Sequence, residues 1–433
     1  GYKAVLQEYG AYDDPKISEY VNGIGHRLAA VSHLPNLEWH FTVLDDPAVN
    51  AFAMPGGYIY ITRGILAHLN SEAQLAGVMG HEEGHVTARH SAKQMTQQQL
   101  FGLGFGIATI ASSGFARYGG AAQQALGLLF LKYSRDDENQ ADQLGVDYAT
   151  KAGFDPREIP NTYVMLKRVS DQAGQRVPTF MSTHPDPGDR QQRTTALAQA
   201  AAAGKTGLII HNRDYVQRLD GMVFGADPRQ GFFEGTRFIQ PELKFEITFP
   251  SGWKTQNTRE AVMAQAADQS ATMQLTLTAS KGLSPTAFVQ ELIRGQQIAE
   301  AQGSNETIGG HAAWLGRARL IQKDGSAVPI VLGFVQRSGE DMFQVLGQSS
   351  GDDGAIAQSI RSLHDLGPIG PITPDRVAVV TVPKTGTFSS VVSSLGPQAI
   401  SVEATAVLNN VDLDETVAQG TVLKIVKKGS RGH

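Results

Sequence analysis

The chain contains no cysteine. Disulfides and thiolate metal sites are therefore excluded, and any metal must be held by histidine and carboxylate side chains. Charge is also sparse, at 18% Asp, Glu, Lys and Arg, with a net charge of -5. No basic footprint for nucleic acid is present, so no nucleic-acid partner is expected. Aromatic residues make up 7% of the chain and hydrophobic residues 41%, a composition of folded, soluble domains. The N-terminal stretch from Gly1 to Asp14 is polar and lacks the apolar core of an export signal. We expect such a signal to have been removed, which places the protein in the periplasm, or otherwise in the cell envelope or outside the cell. The most apolar segment, Leu100 to Ala116, is rich in Gly and Ala and is interrupted by Thr109, Ser112 and Ser113. It reads as a buried or membrane-touching element rather than a membrane span.

With 433 residues the chain is long enough for two or three domains. Asp14 to Ser32 carries Ile17, Tyr20, Val21, Ile24 and Leu28 at helical spacing. Trp39 to Leu44 and Tyr58 to Thr62 alternate as strands, with a turn at Pro55-Gly56-Gly57. Ser71-Glu72-Ala73-Gln74 is a capping box that should open a helix running to about Gln97. Ser134, with Asp137 three residues on, should open a second helix that stops near Gly153. Beyond about Glu242 short alternating strands take over, including Phe245 to Phe249, Met273 to Thr278 and Ala327 to Gln336. The Pro- and Gly-containing stretch Leu363 to Pro374 reads as a linker.

His81-Glu82-Glu83-Gly84-His85 fits the pattern H-E-x-x-H. Two histidines four apart lie one turn apart on one helix face, so both imidazoles reach one ion. The glutamate beside the first reaches a water held by that ion, whose pKa zinc lowers toward neutrality. A catalytic zinc needs a third protein ligand, and Glu138 is the best candidate. Asp142, one turn further, is placed to hydrogen-bond the free nitrogen of His81 or His85. The plain reading of Glu138 and Asp142 is a solvated acidic helix start. His90 reads as structural, and His26, His33, His40 and His68 have no partner pattern.

Four pieces together resemble the zinc endopeptidases typified by HtpX, the CaaX prenyl proteases and BepA: Asn50 to Gly64, His81 to His85, Ser134 to Asp142, and Thr183-His184-Pro185 followed by Arg190. The resemblance covers about the first 200 residues. It implies one zinc per chain on His81, His85 and Glu138, with Glu82 as catalytic base. It also gives His184 a place close to the metal, either stabilising the oxyanion or filling the open zinc position in a latent enzyme. Arg190 then has two readings, an anchor for that loop or site carboxylate, and an ordinary surface ion pair. The strand Gly56-Gly57-Tyr58-Ile59-Tyr60 suggests a substrate edge, where an extended peptide adds by main-chain hydrogen bonds. Its plain reading is a core strand after a turn.

The fold expected is α+β: a mainly helical H-E-x-x-H metallopeptidase domain with a small sheet (1–204), a connector (205–241), an α+β domain resembling PsbP (242–365), and a small βααβ unit resembling LysM (376–429). In the last unit the usual Gly-Asp-Thr-Leu opening reads Thr385-Gly386-Thr387-Phe388, without the aspartate. The function expected is hydrolysis of unfolded or misassembled envelope polypeptides. Two alternatives are a peptidoglycan hydrolase directed by the LysM-like end, and a zinc-containing chaperone or scaffold without catalysis.

Overall fold

The computed structural model describes residues 1–93, 133–173, 179–184, 187–322, 325–351 and 353–432. The apolar segment Leu100 to Ala116 lies outside them. Among the described residues no helix is long and apolar enough to cross a membrane.

Two compact units make up the chain. The first joins the described residues up to 226 with Pro374–Ser430, and the second spans Asp227–Thr373 and the residues from Arg431. The boundaries expected at 204 and 241 fall inside these units.

In the first unit, helix α1 (Tyr2–Tyr9) precedes α2 (Pro15–Ala29). Asp14 opens α2 by accepting hydrogen bonds from the amides of Lys16 and Ile17, with Pro15 at the first helical position. Its stripe of Ile17, Val21, Ile24 and Leu28 is buried. Strands β1 (His40–Leu44), β2 (Ala51–Met54) and β3 (Tyr58–Thr62) form a sheet of order β1-β3-β2. β3 is thus the central strand, parallel to β1 and antiparallel to β2. Four of its five residues are buried, so the alternation seen in the sequence does not separate a wet face from a dry one. A short helix, α3 (Arg63–His68), leads to α4 (Glu72–Thr87).

α4 is capped by Ser71, whose side chain accepts from the Gln74 amide. The Gln74 side chain reaches back one residue further than a capping box requires, to the amide of Asn70. Every residue from Ala73 to His85 is buried. Small residues make this packing possible where α4 crosses the helix Arg135–Lys151. A Cβ on Gly84 would lie 3.1 Å from the Ala141 carbonyl, and one on Gly145 would lie 2.9 Å from the His81 amide. The two backbones therefore approach closely enough to bring His81 and His85 against Glu138 and Asp142. Instead of running to Gln97, α4 stops at Thr87, and Arg89 takes a left-handed φ of 59° before the chain turns helical again at His90. The helix Arg135–Lys151 opens on a complete capping box between Ser134 and Asp137. It ends before Gly153 at φ 86°.

Pro374–Ser430 contributes strand β4 (Arg376–Thr381), helices Phe388–Ser394 and Val402–Asn409, and strand β5 (Val422–Lys427), antiparallel to β4. This βααβ order has a small core of its own around Phe388 and Leu423. Yet Val377, Leu408 and Val426 belong to the main core of the first unit, with Leu28, Leu75 and Tyr148. Lys424 is fully buried, and its Nζ donates to the carbonyls of Ala67 and Leu69, 2.7 Å each, at the end of α3. Burial drives its pKa well below the usual lysine range. Two of its N–H groups match the two carbonyls.

The second unit is α+β. A seven-stranded antiparallel sheet holds its longest strands, among them Ala271–Ala279, His311–Ile321, Ala327–Gln336 and Asp341–Ser349. A four-stranded sheet includes Phe245–Thr248, paired with His364–Asp365. The stretch expected to be only a linker therefore begins with two residues of sheet edge. Two buried clusters fill this unit, one around Phe238, Phe343 and Val345 and one around Phe288, Trp314 and Phe334.

Candidate metal centre

α4 and the helix Arg135–Lys151 place three of the expected ligands side by side, and His184 joins them from the end of the short helix Thr179–Thr183. His81, His85, Glu138 and His184 each offer a ligand atom, and these atoms lie within 4.8 Å of one another. Nε2 of His81 lies 3.0 Å from Nε2 of His85 and 3.3 Å from Nδ1 of His184. The Glu138 carboxylate is 2.8 Å from His184 Nδ1, 3.5 Å from His85 Nε2 and 3.6 Å from His81 Nε2. A tetrahedral zinc with bonds of about 2.0–2.2 Å sets its donors about 3.3–3.6 Å apart. All four side chains are buried.

The donor chemistry fits a cation as well. Asp142 Oδ1 lies 3.0 Å from Nδ1 of His81. Its carboxylate accepts that proton, which leaves Nε2 with a bare lone pair turned toward His85. Burial, with Arg190 beside Glu138, sets the charges. Burial alone would raise Glu138, but His184 and Arg190 outweigh it and hold the carboxylate ionised. Burial lowers His85 well below its ordinary value, with the neighbouring His81 and His184 adding to the effect, so its ring stays neutral and able to ligate.

Glu82 stands one residue after the first ligand and is fully buried. Among the described residues neither of its carboxylate oxygens has a hydrogen-bond partner, and Oε1 lies 3.5 Å from His184 Nε2. Burial raises its pKa despite the opposing pull of His184 and His81. His184 shows the reverse balance: burial pushes it down, but the carboxylates of Glu138 and Glu82 prevail and raise it. Aromatic rings wall the centre. Tyr133 stacks on His85 at 3.9 Å between centroids and Phe180 on His184 at 4.4 Å.

Arg190 is buried, not a surface ion pair. Its Nη1 lies 2.7 Å from Glu138 Oε2, and its Nη2 donates to Asp142 Oδ1 at 2.5 Å. Asp142 also accepts from Tyr163 and Arg193, and the Arg190 guanidinium lies over the Tyr163 ring. Burial would raise Asp142, but Arg190 and His81 outweigh it and hold the carboxyl far below the usual carboxylate range. Pro185, the last residue of the Thr183-His184-Pro185 motif, lies outside the described residues.

Gly56, Gly57 and Tyr58 are not at a sheet edge. They lead into the central strand β3, and the Gly57 carbonyl accepts from the His40 amide at 2.8 Å. Gly56 and Gly57 take φ of 95° and 89°, so the turn itself accounts for them. A peptide has no room to add there, because β1 and β2 occupy both flanks. The edge on the side of α4 belongs to β2, against which α4 packs.

Sequence reasoning missed Tyr163, Arg193 and Tyr133, which carry no motif. It also set aside His90, whose ring the turn at Arg89 brings against His85.

Residues 15–198 match the model of peptidase family M48. All four donor residues, Glu82, Asp142 and Arg190 lie in that span, so the metallopeptidase and zinc character read from the sequence holds for it. The chain is 31% identical over 231 residues to the beta-barrel assembly-enhancing protease of Yersinia pestis, covering 49% of this chain and 45% of that protein. It is 33% identical over 215 residues to the mitochondrial metalloendopeptidase OMA1 of Schizosaccharomyces pombe, covering 48% of this chain and 63% of that one. It is 36% identical over 172 residues to mitochondrial metalloendopeptidase OMA1 of Arabidopsis thaliana, covering 40% and 33%. The chain thus spans about a third to less than two thirds of these relatives' lengths. Among solved structures, cyanobacterial PsbP from Synechocystis aligns with 31% of this chain and 94% of its own at 13% identity, with a TM-score of only 0.23.

Proposed function

We propose that this protein is a zinc-dependent endopeptidase in which His81, His85 and Glu138 hold the metal and Glu82 is the general base. The observation that carries the reading is the pairing of a compact N/O donor set with a buried glutamate that has no hydrogen-bond partner among the described residues. Zinc bound there supplies Lewis acidity, polarising a peptide carbonyl and making water nucleophilic near neutral pH. Glu82 takes the proton from the attacking water and returns it to the leaving amine. Its raised pKa suits a group that must both accept and release a proton. A scaffold with a purely structural metal gives no reason to bury this carboxylate without hydrogen bonds beside the donors.

We further propose that His184 holds a resting state. Its Nδ1 faces the donor set while its Nε2 faces Glu82, so one ring occupies the space between base and metal that water needs. The helix before it also reaches the start of β2, where the Phe180 amide donates to the Val49 carbonyl at 3.4 Å. Among the described residues no strand lies on the outer side of β2. An extended substrate chain pairs with that edge once the helix yields. The substrate class, unfolded or misassembled polypeptide of the cell envelope, is part of this proposal and rests on the likeness to the bacterial relatives. The βααβ segment as a LysM-like module belongs to the same reading.

The test compares wild type, Glu82→Gln and His184→Ala after zinc-replete purification, with casein as unfolded substrate. We expect about one zinc in wild type and Glu82→Gln, a loss of about 10²–10⁴-fold in cleavage for Glu82→Gln, and faster cleavage by His184→Ala. Absence of zinc from wild type and Glu82→Gln overturns the reading.

A further inference from the structure

The two histidines of α4 are oriented differently. Asp142 holds the outer nitrogen of His81, and among the described residues no carboxylate does the same for His85. Its Nδ1 instead lies 2.9 Å from Nδ1 of His90, with the rings 5.0 Å apart and inclined at 74°. His90 is fully buried. It meets His85 only because Arg89 adopts the left-handed region, a conformation that costs a non-glycine residue on the order of 1 kcal/mol. A continuous α-helix would have carried residue 90 off the face of residues 81 and 85.

The far side of His90 settles its tautomer. Its Nε2 lies 3.0 Å from the side-chain oxygen of Gln140 and 3.4 Å from Asp137 Oδ1. Both are acceptors, so Nε2 carries the proton of a neutral ring. His90 Nδ1 is then bare and accepts from His85 Nδ1–H. That leaves His85 Nε2 with its lone pair facing His81 Nε2 and the donor centre. The chain from Gln140 through His90 to His85 therefore runs in one direction and ends at the metal position. Gln140 and Asp137 sit on the same helix that presents Glu138, so the third ligand and the orientation of the second come from one element.

We propose that His90 is the positioning residue of this centre, fixing His85 in the tautomer that ligates through Nε2. The proposal rests on the metal-site reading above. Outer partners of this kind typically change metal affinity by about 10–100-fold when removed.

The experiment measures zinc affinity by chelator competition in wild type, His90→Asn, His90→Gln and His90→Phe. Asparagine sets its amide oxygen near the place of Nδ1, whereas glutamine sets it near the place of Nε2 and phenylalanine has none. We expect His90→Asn to stay within about threefold of wild type, and His90→Gln and His90→Phe to weaken zinc binding by about 10–100-fold. The two amide variants share polarity, so their difference reports the position of the acceptor and not packing. Equal affinity in His90→Gln and wild type overturns the proposal, as does an equal loss in His90→Asn and His90→Gln. Zinc stoichiometry of wild type tests the metal site separately: one equivalent with no effect at His90 leaves that reading standing and removes this one.

Discussion

The two accessory regions solve the problem of stability in opposite ways. Asp227–Thr373 forms cores of its own, with Phe238, Phe343 and Val345 in one and Phe288, Trp314 and Phe334 in the other. The βααβ segment within Pro374–Ser430 has a small cluster of its own but commits Val377, Leu408 and Val426 to the core that also backs the metal helix. A segment of that size is only marginally stable on its own core. The comparison teaches that sequence order is a poor guide to partnership: the region nearest in sequence to the peptidase is a separate compact unit, and the most distant one completes it.

Variants at the two kinds of core should therefore behave differently. Lys424→Ala empties a buried volume and leaves the Ala67 and Leu69 carbonyls without donors, at a cost of about 4–6 kcal/mol. In calorimetry it should lower the melting of the metal-bearing unit and its zinc content together. Phe343→Ala should cost about 3–5 kcal/mol, but in a separate transition and with zinc content unchanged. One shared transition that moves with both variants would erase the contrast.

The pH dependence sharpens it. Burial lowers the pKa of Lys424 in the folded protein below its value of about 10.4 in the unfolded chain. The unfolded state binds the extra proton, so this residue makes stability rise with pH between its depressed folded pKa and about 10.4, by about 1.4 kcal/mol per unit. The stability of wild type minus that of Lys424→Met, followed as the pH is raised toward about 10, should rise in the metal-bearing transition. The smallest effect belongs to the rim of the same contact. Arg168 donates to the Val411 carbonyl and pairs with the exposed Asp412, and Arg168→Ala should cost about 1 kcal/mol or less in urea unfolding.

What was legible in the sequence followed local rules. Asp14, Ser71 and Ser134 mark helix starts because their side chains cap nearby amides, and Gly153 marks a stop because of its backbone. The spacing of His81, His85, Glu138 and Asp142 suggested a shared centre, and the structure brings them together. What stayed hidden depends on distant partners. β3 looks like any alternating strand until β1 and β2 close on both sides. His90 is out of helical phase on paper, and a single left-handed residue restores it. Lys424, in Val422-Leu423-Lys424-Ile425-Val426-Lys427, reads as a solvent-facing lysine, and only tertiary contact reveals the carbonyls that receive it.

The burial of Lys424 also has a meaning in time. Translation delivers the helix carrying His81 and His85 before Lys424, which follows tens of seconds later at about 5–20 residues per second. Until then the carbonyls of Ala67 and Leu69, just ahead of Ser71 and the metal helix, have no amine to receive, and the core lacks three of its apolar residues. A nascent chain, or a fragment cut short, therefore carries the ligands without the finished frame that holds them.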